Sequence, residues 1–204
     1  GPWAASEAER QRLDDLSALG TCNGMHANSR AFAELTADGD VVVWGDADAG
    51  GDQAAAPVFP GTPGTLGSGW ASIASTRSAF AVLRALDAES PVAPSTAGAG
   101  FIEAWGDSAR GGTGAPGGGG FELIASTVGA FAALKTNGRA TGSISAWGSA
   151  CYGGSGAPPG NGFVSIASNS FAFAALRWDG AISAWGSSSR GGSGAPTGSG
   201  FTSI

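Results

Sequence analysis

Hydrophobic and polar positions alternate along this chain in short runs separated by glycine-rich gaps. "AFAALR" at 172–177 and "AISAWG" at 181–186 are one such pair of runs; "AFAEL" at 31–35 and "VVVWG" at 41–45 are another. Alternation over five or six residues predicts strands rather than helices. A further run, "GFVSIAS" at 162–168, predicts a third strand. Asp38 with Gly39, Asn137 with Gly138 and Asp179 with Gly180 stand between paired runs. Such dipeptides predict hairpins closed by type I′ turns, which need positive φ at both central residues.

The runs recur as a unit. It reads aromatic-x-x-Ile-Ala-Ser, three variable residues, Ala-Phe-Ala-x-Leu, a turn, x-Ala-Trp-Gly and a glycine-rich loop. The Ala-Phe-Ala phenylalanines are Phe32, Phe80, Phe131 and Phe173; the Trp-Gly tryptophans are Trp44, Trp105, Trp147 and Trp185. Recurrence at fixed positions predicts that these rings form the core. Alanine on both sides of each phenylalanine predicts close approach of neighbouring sheets. Phenylalanine and tryptophan are 12 residues apart in units one and four, 16 in unit three and 25 in unit two. The excess in unit two, "ALDAESPVAPSTAGAG", predicts a lengthened, exposed hairpin loop. The boundaries that follow are 21–69, 70–120, 121–162 and 163–200, with a stub at 201–204. Ahead of them, residues 6–19 predict a short N-terminal helix: Ser6 and Glu9 fit a capping box, Leu13, Leu16 and Leu19 follow, and Gly20 is a stop. The expected fold class is thus all-β: tandem antiparallel repeat units, four plus a C-terminal stub.

Composition sharpens this picture. Glycine contributes 37 of 204 residues and only 13% of residues are charged, yet 42% are hydrophobic and seven are tryptophan. That is enough apolar surface to fold. No apolar run is long enough to insert in a membrane as a helix. The net charge of −6, with no basic cluster, argues against nucleic acid as a partner. Charge is also uneven: residues 1–103 carry 13 acids and 5 bases, a balance of −8, and residues 104–204 carry 3 acids and 5 bases, a balance of +2.

The pattern "SIAS…AFAALR-DG-AISAWGSSSRGG" resembles the repeat of the regulator of chromosome condensation family, over residues 21 to 204. That repeat has an Ile-Ala-Ala-Gly strand, a His-Ser-Leu-Ala-Leu strand, Asp-Gly, a strand ending Trp-Gly, and Gly-Gln-Leu-Gly. The resemblance implies antiparallel blades of a β-propeller that bind proteins, in a ring usually of about seven; four units plus a stub are then expected as propeller-like repeats in an open array or incomplete propeller. Ser75, Ser126 and Ser168 stand where the family has glycine, and "GGSGAP" replaces Gly-Gln-Leu-Gly. The Ala-Phe-Ala/Trp-Gly variant is also similar to repeats in large proteins of algae and aquatic microbes.

Little points to catalysis. The single histidine, His26, aligns with strand residue Ala74, and the serines recur at loop positions without a histidine partner, so an enzyme is not expected and no cofactor is implied. Asp46, Asp48 and Asp52 surround a glycine turn and form a weak calcium candidate, since calcium takes several oxygens in a flexible loop. The equivalent loops "GDSARGG", "GSACYGG" and "GSSSRGG" do not keep these aspartates. Trp178, at a turn position, is the candidate for stacking on a glycan. Cys22 and Cys151 could bridge in an oxidising compartment, and the Ser/Thr/Pro-rich loops could carry O-linked sugars.

The functional expectation is a non-enzymatic, extracellular or cell-surface structural repeat protein whose copies join head to tail as a fibre. Cys22 and Met25 replace the aromatic and isoleucine of the first unit, and Phe201 and Ile204 belong to a final unit cut after "GFTSI". Adding that strand to the next copy would pair the two ends, with Cys22, Met25, Phe201 and Ile204 at the interface. The alternative is a propeller-like module that binds a protein or glycan.

Overall fold

A computed structural model describes residues 25–36, 40–57, 70–84, 100–137 and 139–204. Twelve strands form four separate three-stranded antiparallel sheets in tandem. Unit one holds β1 (Met25–Ala27), β2 (Ala31–Leu35) and β3 (Val41–Gly45). Unit two holds β4 (Trp70–Ser75), β5 (Ala79–Arg84) and β6 (Ile102–Gly106). Unit three holds β7 (Phe121–Ser126), β8 (Ala130–Lys135) and β9 (Ser143–Gly148). Unit four holds β10 (Phe163–Ser168), β11 (Ala172–Arg177) and β12 (Ile182–Gly186). Each sheet is a simple meander with its second strand in the middle. The strands are those the alternation predicts, and their tandem arrangement is the open, propeller-like array that the resemblance implies.

The register is the same in every unit. Phe32, Phe80, Phe131 and Phe173 lie opposite Trp44, Trp105, Trp147 and Trp185 on the paired strand. The rings of each pair stack with centroids 5.1–5.3 Å apart. Since side chains alternate across a strand, phenylalanine points to one face of its sheet and the flanking alanines point to the other. The core therefore lies between sheets. Ala79, Ala81, Leu83 and Ile102 of unit two pack on Phe121, Phe131 and Trp147 of unit three; Ala130, Ala132 and Leu134 pack on Phe163, Phe173 and Trp185 of unit four. Alanine makes these junctions thin: the four alanines named are completely buried.

The turns depart from the expected type. In unit four, Arg177 N–H donates to Ala181 O and Gly180 N–H donates to Arg177 O. Gly180 has φ +80°, but among the described residues Asn137 is the sole non-glycine with positive φ, at +54°. Asp179 therefore keeps negative φ, and the loop is a three-residue turn with glycine at its left-handed third position, not type I′. Asp179 Oδ1 accepts from Ala181 N–H at 3.0 Å, a local bond that favours this form. In unit three, Asn137 does take the left-handed conformation, and Arg139 N–H closes on Thr136 O. Residues 6–19, Asp38 with Gly39, Gly138 and the insertion at 85–99 lie outside the described residues.

Candidate functional site

After each Trp-Gly the chain makes one turn of 3₁₀ helix that ends on a left-handed glycine: Gly50, Gly111, Gly153 and Gly191. In units one and two the turn is started by an aspartate, Asp46 or Asp107, whose side chain accepts a backbone N–H inside the turn. The opposite end is tied down by the loop between the first two strands. Asn28 Nδ2, Thr76 Oγ1, Thr127 Oγ1 and Asn169 Nδ2 donate to the last carbonyl of the turn, at Ala49, Arg110, Tyr152 and Arg190.

This anchoring aims the terminal glycine at the next unit. Gly50 O accepts from Trp105 Nε1 at 2.9 Å, Gly111 O from Trp147 Nε1 at 3.0 Å, and Gly153 O from Trp185 Nε1 at 3.0 Å. The glycine also lies against the rings. A Cβ on Gly111 or Gly153 would stand 2.7 Å from Cδ2 of Phe131 or Phe173, and φ there is above +90°. Both facts demand glycine. Each unit thus latches the aromatic pair of its successor.

A second seam runs beside the latch. Ser29 N–H donates to Arg77 O, Arg77 N–H to Val128 O, and Val128 N–H to Ser170 O, each from one unit to the next. Around this seam a cleft of about 480 Å³ is lined by Ser75, Thr76, Ser126, Thr127 and Ser168 among others. Ser75 Oγ crosses it to Ala27 O at 3.0 Å. The serines that replace the glycine of the resembling family therefore face the junctions between first strands.

At both ends of the described array half a junction is left over. Phe32, expected in the core, is 39% exposed, whereas Phe80, Phe131 and Phe173 are buried. The reason is that no glycine turn among the described residues lies over it. Trp44 is half-buried, and its Nε1 meets no acceptor among the described residues. Glu34 shares their face, at the position filled by Val82, Ala133 and Ala175 in later units. At the other end, Gly191 is exposed at φ +98° with no ring over it. Arg190 beside it lies over the Phe171 ring at 3.9 Å, and Phe171 stacks on Tyr152 of unit three.

The remaining candidates are dispersed. Asp46 pairs with Arg30 at 2.9 Å and caps its 3₁₀ turn, while Asp52 accepts from Ala54 N–H. Asp48 sits in the first turn of that helix. Among the described residues no group of three or more His, Cys, Asp or Glu side chains is placed to hold a metal ion. Phe201 N–H bonds Gly180 O as Phe121 N–H bonds Gly100 O, yet Phe201 and Ile204 are 40% and 43% exposed and belong to no strand. Within the described residues the segment is held to the unit-four turn by these backbone bonds, Gly200 N–H to Asp179 O and Phe201 N–H to Gly180 O, without becoming a strand. Met25 pairs with Glu34 and His26 with Ala33 in β1–β2. Cys151 is exposed as a free thiol, and Cys22 lies outside the described residues. Trp178 is 69% exposed, although Thr136 at the same repeat position is buried. The latch escaped sequence reading because its acceptor is a backbone carbonyl; the signal that could have found it is the recurrent Gly-Gly after each Trp-Gly.

No protein-family model matches the chain, and no curated protein matches it. Solved structures do. The ectodomain of the receptor kinase CR4 from Physcomitrella patens superposes with a TM-score of 0.51 at 21% identity, over 80% of this chain and 40% of that one. Prp20p from Saccharomyces cerevisiae, whose structure is described with its binding to Gsp1p and histones, superposes with a TM-score of 0.50 at 17% identity, over 87% of this chain and 46% of that one. The shared feature is a repeat β-sheet fold, and this chain spans less than half the length of either neighbour.

Proposed function

We propose that this protein is a non-enzymatic structural repeat protein, at the cell surface or outside the cell, whose copies join head to tail. The observation that carries this reading is the contrast between Phe32, 39% exposed, and its three buried counterparts. A stacked Phe–Trp pair is a face the other units cover, and repeat arrays bury such faces against another repeat. Two unlike faces make a heterologous contact, which builds a filament wherever its rotation does not close a ring. The charge balance of −8 in one half and +2 in the other favours encounter in this orientation. The resemblance to regulator of chromosome condensation repeats supports a second reading, a propeller-type module that binds another protein, as Prp20p does with Gsp1p and histones.

Sedimentation velocity over a range of concentrations tests the first reading. The native sequence is expected to form a concentration-dependent series of oligomers. Phe32→Glu should abolish the series with an unchanged strand spectrum, and Glu34→Val should extend it by restoring the residue type of Val82. Raising salt should slow association more than it weakens assembled species, because screening acts mainly on encounter. A native chain that stays monomeric throughout would favour the module reading.

A further inference from the structure

We infer that the cleft over the internal junctions is a binding site for an acidic peptide segment of a partner protein, with Arg77 as the residue that receives its carboxylate. This goes beyond head-to-tail joining. The cleft lies across the junctions inside the array, so its failure would leave the sedimentation result untouched.

The cleft measures about 480 Å³, the size of sites that hold drug-sized ligands. Its walls are the loops that lead from first to second strand in units two, three and four. Position 77 belongs to Ser29, Val128 and Ser170 in the other units, and the seam uses only the backbone there. An arginine is therefore peculiar to unit two and is not required by the repeat. Its backbone is tied on both sides: Arg77 N–H donates to Val128 O, and Arg77 O accepts from Ser29 N–H at 3.1 Å and from Ser29 Oγ at 2.7 Å. A fixed backbone thus carries an exposed guanidinium that meets neither a carboxylate nor a ring among the described residues. Other arginines beside the 3₁₀ turns are engaged. Arg30 pairs with Asp46 at 2.9 Å, Arg110 with Asp107 at 3.7 Å, and Arg190 lies over Phe171. No aspartate or glutamate lines the cleft. In a chain of net charge −6, it holds one positive charge that nothing neutralises.

The hydroxyls divide into used and unused. Thr76 and Thr127 spend theirs on the turn carbonyls of Arg110 and Tyr152, and Ser75 spends its own on Ala27 O. Ser126 and Ser168 stand at the repeat position of Ser75 and line the same cleft, yet their hydroxyls meet no partner among the described residues. A guanidinium fork holds a carboxylate by two parallel bonds. The two serine hydroxyls, each able to donate and accept, are left for the peptide groups beside that carboxylate. No aromatic side chain lines the cleft, so a sugar acid finds no flat apolar face there, whereas a peptide needs only polar partners.

An NMR titration of the native chain with acetyl-Ser-Asp-Glu-Ser-amide tests the site, beside acetyl-Ser-Asn-Gln-Ser-amide, which has the same shape without the charge. The acidic peptide is expected to bind, and the uncharged one to bind roughly tenfold more weakly, the effect of one charge-assisted hydrogen bond. Arg77→Ser installs the residue of Ser29 and Ser170, leaves the backbone seam intact, and should weaken the acidic peptide by a similar factor with an unchanged strand spectrum. Arg77→Lys keeps the charge but not the fork and should fall between the two. Equal affinity for the two peptides, or native affinity in Arg77→Ser, would overturn the site. Glucuronate displacing the acidic peptide at equal concentration would overturn the peptide as occupant and assign the cleft to a sugar acid. A native chain that binds neither peptide, but binds the acidic one once the 85–99 insertion is shortened to the length of the unit-four turn, would overturn the partner and assign Arg77 to Asp87 or Glu89 of that insertion. No binding by either form would overturn the cleft as a site.

Discussion

Phe131→Ala is expected to lower stability by about 3–5 kcal/mol, the range for emptying a fully buried phenylalanine site. Phe131 is completely buried, stacks on Trp147 at 5.2 Å, and carries the Gly111 turn on its edge. Its loss leaves a cavity bounded by backbone of two units, which cannot collapse without breaking the Trp147 Nε1 bond to Gly111 O. Denaturant unfolding of the variant beside the native chain measures this. A loss under about 1 kcal/mol would show that the space refills and that the junction is softer than its burial indicates. Phe32→Ala provides the internal contrast: at the same repeat position but 39% exposed, it should cost clearly less than Phe131→Ala in the monomer.

Gly153→Val is the second large effect. Its Cβ would lie 2.7 Å from Cδ2 of Phe173, and the backbone sits at φ +91°. Left-handed φ costs a non-glycine residue about 1–2 kcal/mol, more for a β-branched one. Overpacking against a buried ring adds about 1–3 kcal/mol. The turn can escape only by swinging away from unit four, which would release Trp185 Nε1 from Gly153 O. The expected outcome is a loss on the order of 3 kcal/mol, with a red-shifted tryptophan emission as Trp185 becomes wet. Gly191→Val carries the same strain without a ring to strike, so the difference between the two variants isolates the packing contribution. Equal losses for both would mean that backbone strain alone sets the cost.

The strands and the core role of Phe80, Phe131 and Phe173 were legible in the sequence because one pattern recurs there, and a repeated aromatic flanked by alanine has few other uses; which tryptophan each ring stacks on follows from the register of the paired strands. What the pattern cannot carry is a position's neighbours beyond its own unit. Phe32 has the same motif as Phe131 but a different environment, since burial here comes from the preceding unit and not from the strand itself. Turn type failed for a local reason. Asp179 and Gly180 fit a type I′ signature, but the aspartate carboxylate binds Ala181 N–H and holds its own φ negative. The loop aspartates were read for their charge, yet Asp46 and Asp52 spend their oxygens on backbone N–H groups and, for Asp46, on Arg30. Side-chain chemistry suggests ligands; only coordinates show that a turn has already claimed them.

Among the described residues the sheets pack on their sequence neighbours, and every junction carries one indole bond and one backbone bond between loops. Mechanical load applied along such a series falls on its junctions in turn. Phe131 and Phe173 are separated by 42 residues, and each residue pulled taut spans about 3.4 Å. The preceding intervals, Phe32 to Phe80 and Phe80 to Phe131, are 48 and 51 residues, so stretching a single molecule by its ends should release length in steps of roughly 14–17 nm, at similar forces set by the repeated junction. Under such a load the series would yield by stages, with the glycine turns as the first links to open.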